Sequence, residues 1–124
     1  MALRVVVIDD EEDYRLILKD ILEDSGYEVR LASDGVSGLS LVLERAPDLI
    51  LVDWVMPQMN GLQFVISMRG HKDLKEIPIV MLTVNQTEDD KLEAIRAGVD
   101  DFMIKPFESE DLIGRIESLI KSKK

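Results

Sequence analysis

This 124-residue chain contains no cysteine, no surplus of basic residues and no long apolar run. Without cysteine there is neither a disulfide nor a thiolate metal site, which fits a reducing compartment. Acids outnumber lysines and arginines by 25 to 15, a formal net charge of −10. Unaided attraction to nucleic acid or to an anionic membrane is therefore not expected, and the short basic tail at 121–124 does not reverse that. No apolar stretch approaches the roughly 20 residues that span a bilayer. The first apolar run, 3–8, is short, interrupted by Arg4 and followed by acids, unlike a secretory signal. A cytoplasmic protein is expected. Linkers, repeats and low-complexity segments are missing too, so the length predicts one compact domain over 1–124, able to bury roughly two-thirds of its unfolded surface.

What the chain does contain is two alternating periodicities. Short apolar runs rich in β-branched residues occupy 3–8, 28–32, 49–52, 79–82 and 102–104. Stretches with helical spacing separate them. Tyr14, Ile17, Leu18, Ile21 and Leu22 form one stripe, ended by Ser25-Gly26; Leu39, Val42, Leu43 and Ala46 form a second, stopped by Pro47. Phe64, Val65 and Met68 make a third, closed by Gly70. Leu112, Ile113, Ile116, Leu119 and Ile120 make the last, with Ser109 as the predicted N-cap. The remaining helix, about 88–97 and ended by Gly98, offers a core only Leu92, Ile95, Ala94 and Ala97. Sparse anchorage predicts a helix of low local stability, as moving elements usually are. Strand–helix alternation repeated five times implies a parallel sheet wound on both faces, and the apolar runs lack the period-2 alternation of half-exposed strands.

Ligands in such folds collect beyond the carboxyl ends of the strands. The first run ends in Asp9-Asp10-Glu11-Glu12, acids that could equally favour the dipole of the following helix or cap it. The third ends in Asp53, which could start a turn toward Asn60-Gly61. The fourth ends in Thr83, a residue of high β-propensity, and the fifth in Lys105-Pro106, where a lysine is ordinarily solvated. Together, three carboxylates and one ammonium meet at one sheet edge beside a hydroxyl. Crowded carboxylates either rise in pKa or recruit a cation. The deficit of about two negative charges matches one hard divalent ion such as Mg²⁺, which prefers oxygen ligands. An aspartate can also be the nucleophile toward a phosphoryl donor. A metal and a lysine would then neutralise the oxygens of the transferred group, and a hydroxyl could hydrogen-bond the new phosphoryl oxygen.

The chain resembles the response-regulator receiver family of two-component signalling, whose members are chemotaxis-regulator-like. The resemblance spans essentially the whole chain. It rests on Val7-Ile8-Asp9-Asp10-Glu11, on Leu51-Val52-Asp53-Trp54-Val55-Met56-Pro57 with Gly61, on Met81-Leu82-Thr83 and on Ile104-Lys105-Pro106-Phe107. It implies a flavodoxin-like α/β fold of five parallel strands, order 2-1-3-4-5, with five helices. It also implies Asp53 as phosphoacceptor, and Mg²⁺ (or Mn²⁺) held by Asp10, Asp53 and the Val55 backbone carbonyl, with Asp9 close by or acting through water. Lys105 would pair with the phosphoryl group, and its peptide bond to Pro106 would be cis. Thr83 would move toward that group and Phe102 would follow as the aromatic switch, although an ordinary core aromatic would fill the same space.

The donor implied is a histidine kinase or a His phosphotransfer protein. The response implied is a changed affinity of the face built from the fourth helix, fifth strand and fifth helix for an unknown target protein or output domain. With nothing recognisable after the last helix, the chain is expected to act by binding or to be one piece of a longer polypeptide. Lys91 and Arg115 with Asp100, Asp101 and Glu110 could pair across a phosphorylation-dependent homodimer, or simply be solvated. One departure from the family pattern is Val84, where a small residue is usual. Its branched side chain predicts slow phosphorylation or slow hydrolysis. Val55 and Asn85 stand at positions that tune attack by water, and neither supplies an acid or base. Like other receivers, the chain would catalyse its own phosphorylation and dephosphorylation without being an enzyme toward other substrates.

Two other classes fit less well. A metal-dependent hydrolase with a transient Asp53 nucleophile commonly needs an acid two residues on, and Val55 is none. A flavodoxin-like cofactor binder needs a Ser/Thr/Gly-rich loop after the first strand, where this chain has four acids that would repel a phosphate. A degenerate receiver that binds without phosphorylation is disfavoured by the complete acidic set. His71, the one histidine, lies in a polar stretch, Arg69-Gly70-His71-Lys72-Asp73, and is read as a solvated loop residue.

Overall fold

The computed structural model describes residues 2–56, 58–84 and 87–122. Five strand–helix units follow in order: β1 (Arg4–Ile8), α1 (Glu12–Asp24), β2 (Glu28–Ala32), α2 (Gly35–Glu44), β3 (Leu49–Asp53), α3 (Gly61–Arg69), β4 (Ile79–Thr83), α4 (Glu88–Ala97), β5 (Asp101–Ile104) and α5 (Ser109–Ser122). The strands form one parallel sheet in the order β2-β1-β3-β4-β5. This is the doubly wound, flavodoxin-like arrangement that the strand–helix pattern and the resemblance together predict.

Burial along the strands explains the missing alternation. Every residue of β3 and β4 is buried, because these central strands are covered on both faces. On one face Leu18 and Leu22 of α1 and Leu112, Ile116 and Ile120 of α5 pack on Val5, Val7, Leu49, Leu51, Val80 and Leu82. On the other, Val42 of α2, Phe64, Val65 and Met68 of α3 and Ala94 of α4 pack on Val6, Ile8, Ile50, Val52, Ile79 and Met81. Successive strand residues thus feed opposite cores.

Several details depart from the sequence pattern. β3 and β4 run one residue further than the apolar runs and take in Asp53 and Thr83, while β5 begins at Asp101. Ser109 is the first helical residue of α5 rather than its cap, since the Leu112 N–H donates to the Glu108 carbonyl at 3.1 Å. Ile17, Leu43 and Ala46 point outward, as do Leu92 and Ile95. In α2 the contact is made by small residues instead: Gly35 and Gly38 are buried with Val42, and a Cβ on Gly38 would lie 2.5 Å from Ile8 Cδ1. Close approach of helix to strand, not side-chain bulk, seats α2, which a search for apolar residues does not detect.

Candidate functional site

Register brings the strand ends level. Ile8 stands beside Val52, Asp53 beside Leu82 and Thr83 beside Ile104. The ladder continues past the strands through Asp9 N–H to the Ala32 carbonyl (3.1 Å), Trp54 N–H to the Leu82 carbonyl (3.0 Å) and Lys105 N–H to the Thr83 carbonyl (2.8 Å). Asp9, Asp53, Thr83 and Lys105 therefore share one edge, and all four are buried although the protein is rich in exposed charge. The turn after β3 is pinned by Gly61, whose N–H donates to the Trp54 carbonyl at 2.8 Å. A Cβ at Gly61 would run into the Asp53 carbonyl oxygen and sit 2.9 Å from Trp54 Cα, so glycine is required for α3 to start this close to the site. A capping box between Asn60 and Gln63 fixes the start of that helix.

Within the cleft, Lys105 Nζ donates to Asp9 Oδ2 at 2.8 Å and lies 3.6 Å from Glu11 Oε1 and 3.7 Å from Asp53 Oδ2. Asp9 Oδ1 accepts the Glu11 N–H at 2.9 Å, and its carbonyl accepts Arg15 Nη1 at 2.7 Å. Asp10 is exposed at the rim. Carboxylate oxygens of Asp9, Asp10 and Asp53 all fall within 4.8 Å of one another. The opening has a volume of about 280 Å³, lined by Asp10, Glu11, Asp53, Val55, Val84 and Lys105. Val55 and Val84 are 59% and 66% exposed, two branched apolar side chains at an acidic mouth.

Electrostatics match this crowding. Burial first, then the charges of Asp9 and Asp10, push the Asp53 carboxyl up to about 7, against the opposing pull of Lys105 and the Val55 backbone N–H. Burial alone would lower Lys105; the Asp9 hydrogen bond and the charges of Asp53, Asp9 and Glu11 outweigh it and hold the ammonium above its ordinary value. Asp9, Asp10, Glu11 and Asp53 set four carboxylates against the one ammonium of Lys105, a clear surplus of negative charge, and the donors are all hard oxygens. The residues present thus fit a small divalent cation far better than a soft metal.

Of the residues singled out from sequence, Asp9, Asp10, Asp53, Val55, Val84 and Lys105 meet in the cleft, and buried Thr83 ends the neighbouring strand. The Lys105–Pro106 peptide is cis. Phe102 lies away from the opening, half-buried, edge-on to Trp54 at 6.1 Å between centroids. Asn85 falls outside the described residues. His71 is exposed in the turn after α3. Among the charges predicted to pair between copies, Asp100 accepts Arg69 Nη2 and the Ile79 N–H, both at 2.9 Å, and Arg115 Nη1 donates to Asp101 at 2.9 Å. Asp100 is thereby tied to α3 and β4 within the domain. Glu11, Arg15 and Tyr14 were not anticipated. Glu11 belongs to the acidic run, whereas Tyr14, counted as an apolar stripe residue, places its ring 4.0 Å from Lys105 Nζ.

Residues 5–117 match the response regulator receiver domain. Over 121 residues the chain is 35% identical to the phosphate regulon transcriptional regulatory protein PhoB of Escherichia coli K12, covering 98% of this chain and 53% of that protein. Over 124 residues it is 35% identical to the response regulator MprA of Mycobacterium tuberculosis H37Rv, covering 100% of this chain and 53% of the relative. The chain thus spans about half the length of the curated relatives it matches. Among solved structures, the Vibrio cholerae chemotaxis protein CheY4 superposes with a TM-score of 0.92 at 32% identity, covering 96% of this chain and 99% of that one. The receiver domain of the Francisella response regulator 1452 gives 0.91 at 30% identity, covering 98% and 99%. Fold, strand-end chemistry and relatives agree, and the chain belongs to the response regulator receiver domain family of two-component signalling.

Proposed function

We propose that this domain accepts a phosphoryl group on Asp53 from a histidine kinase or a His phosphotransfer protein, with Mg²⁺ (or Mn²⁺) bound. The observation that carries this reading is the meeting of Asp9, Asp10 and Asp53 oxygens within 4.8 Å, with Lys105 Nζ 3.7 Å from Asp53. Asp10, Asp53 and the Val55 backbone carbonyl would hold the ion, with Asp9 acting through water. When bound, it supplies positive charge that favours ionised Asp53 and offsets the oxygens of the transferred group.

The chain's own residues supply the rest. An Asp53 carboxylate oxygen attacks phosphorus, the new O–P bond forms as the donor's P–N bond breaks, and the electron pair stays on the imidazole nitrogen. Burial of Asp53 excludes bulk water from the acceptor, and its backbone is held by the β3–β4 ladder and by Gly61. Lys105 remains an ammonium and moves onto a phosphoryl oxygen, releasing part of its hold on Asp9. Thr83 donates its hydroxyl to another phosphoryl oxygen. Phe102 then repacks beside Trp54, and the face of α4, β5 and α5 changes its affinity for a target protein, an output domain or a second copy. The domain itself needs no nucleic-acid or membrane contact for this; among the described residues no helix is long and apolar enough to cross a membrane. A cytoplasmic location follows from the proposed kinase-fed role.

Incubation with Mg²⁺ and acetyl phosphate, followed by intact mass, tests the reading. Wild type should gain one phosphoryl group, and Asp53→Asn none. An equal gain in both defeats it. Val84→Ala should speed either phosphoryl gain or its loss, because Val84 crowds the mouth of the cleft.

A further inference from the structure

Lys105 is a buried ammonium that, among the described residues, stands within hydrogen-bond distance of one carboxylate oxygen. It has three N–H donors, and Asp9 Oδ2 at 2.8 Å is within hydrogen-bond distance, whereas Glu11 Oε1 and Asp53 Oδ2 stand off at 3.6 and 3.7 Å. Below it lies the face of Tyr14, with the ring centroid 4.0 Å from Nζ. That is well inside the range over which an aromatic quadrupole attracts a cation. Tyr14 sits in the first turns of α1 and is half-buried. Its ring is tilted against Phe107, which follows the Lys105–Pro106 turn, with centroids 6.2 Å apart. The following residue, Arg15, ties the same turn of α1 to the Asp9 carbonyl at 2.7 Å. Helix α1 therefore grips both partners of the Lys105–Asp9 pair.

We propose that Tyr14 is a positioning residue whose ring is the platform on which the Lys105 ammonium travels from Asp9 to the phosphoryl group on Asp53. This rests on Asp53 being the acceptor. A cation that must leave one carboxylate for an incoming anion needs a partner that persists through the move. A π face serves, because its attraction is broad and has no single acceptor direction, unlike a carboxylate oxygen. The ring asks for no proton and competes with neither anion.

Three proteins separate a ring from mere bulk: wild type, Tyr14→Phe and Tyr14→Leu. Phosphoryl gain from acetyl phosphate is followed by mass, and Mg²⁺ affinity by the fluorescence of Trp54, the one tryptophan. Tyr14→Leu fills the space without a π face and should lower the phosphorylation rate about tenfold, the scale of one desolvated cation–π contact. Tyr14→Phe should restore most of it. Mg²⁺ affinity should be the same in all three, since the ring contacts are with Lys105 and Phe107 and the Tyr14 side chain offers no carboxylate to the ion. Equal rates in wild type and Tyr14→Leu overturn the proposal. So does a Tyr14→Phe rate as low as that of Tyr14→Leu, or a loss of Mg²⁺ affinity parallel to the loss of rate, which would mean a disturbed fold. Wild type that gains no phosphoryl group defeats the reading of Asp53 and this role with it, whereas normal gain with insensitivity to Tyr14 defeats only the role.

Discussion

Helices α4 and α5 flank the same edge strand, β5, and are held in opposite ways. α5 buries Leu112, Ile116 and Ile120 in the core it shares with α1. α4 buries one residue, Ala94, and leaves Leu92 and Ile95 48% and 61% exposed. Its fixed end is polar. Gly98 closes the helix in the left-handed region at φ 116°, and its carbonyl accepts Arg69 Nε at 3.0 Å and Nη2 at 2.8 Å. The same guanidinium donates to the carbonyls of Lys75 and Ile77 and to Asp100. Apolar burial resists displacement along the whole of α5, whereas α4 is pinned at its C-terminal end. The other end, after Thr83, is capped locally by Thr87, whose hydroxyl oxygen accepts the Asp90 N–H at 3.1 Å. If the proposed phosphorylation reaches the strand edge, α4 is the helix with less apolar burial to oppose a shift.

Truncating the well-held helix should have the largest effect. Ile116→Ala removes a fully buried side chain and should cost about 2–5 kcal/mol in urea unfolding. A loss below about 1 kcal/mol would erase the contrast. Arg69→Ala comes next, at about 2–3 kcal/mol, because several partly buried carbonyls lose a charged donor together. Its signature should be regional: amide exchange in α4 accelerates well before that in α5. Uniform acceleration of both would mean that Arg69 supports the whole fold and not one end of α4.

The acidic edge of the sheet carries a stability cost that pH exposes. Asp53 titrates near 7 in the folded chain against 3.8 unfolded, so the folded state binds the extra proton between those values. Without metal, its contribution is fully present below about pH 4 and is lost as pH rises through about 7, a swing of at most about 4 kcal/mol. Asp53→Asn removes that swing. The difference in stability between mutant and wild type should grow from pH 4 to pH 8, and Mg²⁺ should stabilise wild type alone. A constant difference would mean that the carboxyl is not raised.

Much of this was legible in the sequence because the chain is a regular alternation. Five apolar runs place five strands, and the polar residue ending each of four runs places most of the site. What escaped was whatever depends on approach and not on pattern. Gly38 and Gly61 act through contacts their missing side chains permit, and a glycine in a run of letters does not say what comes near it. Tyr14 obeys the apolar stripe and yet gives its ring face to Lys105, 91 positions away in the chain. Arg69 reads as a surface charge ending a helix, and only the folded chain shows that its guanidinium gathers carbonyls from the loop before β4 and from the end of α4. Leu92 and Ile95 mislead in the other direction: apolar spacing implied a buried face, and the side chains that reach the core are the alanines, Ala94 fully and Ala97 in part.

Leu92 and Ile95 give the smallest predicted effect, and the one that discriminates best. An exposed isoleucine at 61% accessibility has little transfer free energy to lose, and alanine is the better helix former by a few tenths of a kcal/mol. Ile95→Ala should therefore leave the stability of the unphosphorylated domain within about 0.5 kcal/mol of wild type, or slightly raise it. Equilibrium unfolding measures this directly. A loss above about 1 kcal/mol would mean that Ile95 already packs on the domain and that α4 is better anchored than its burial implies. With stability unchanged, the same substitution becomes a clean probe of the α4–β5–α5 face. Sedimentation with and without a beryllofluoride phosphoryl mimic should then show any association of wild type weakened in Ile95→Ala. Because the folded monomer gains nothing from that side chain, weakened association would assign its contact to the partner.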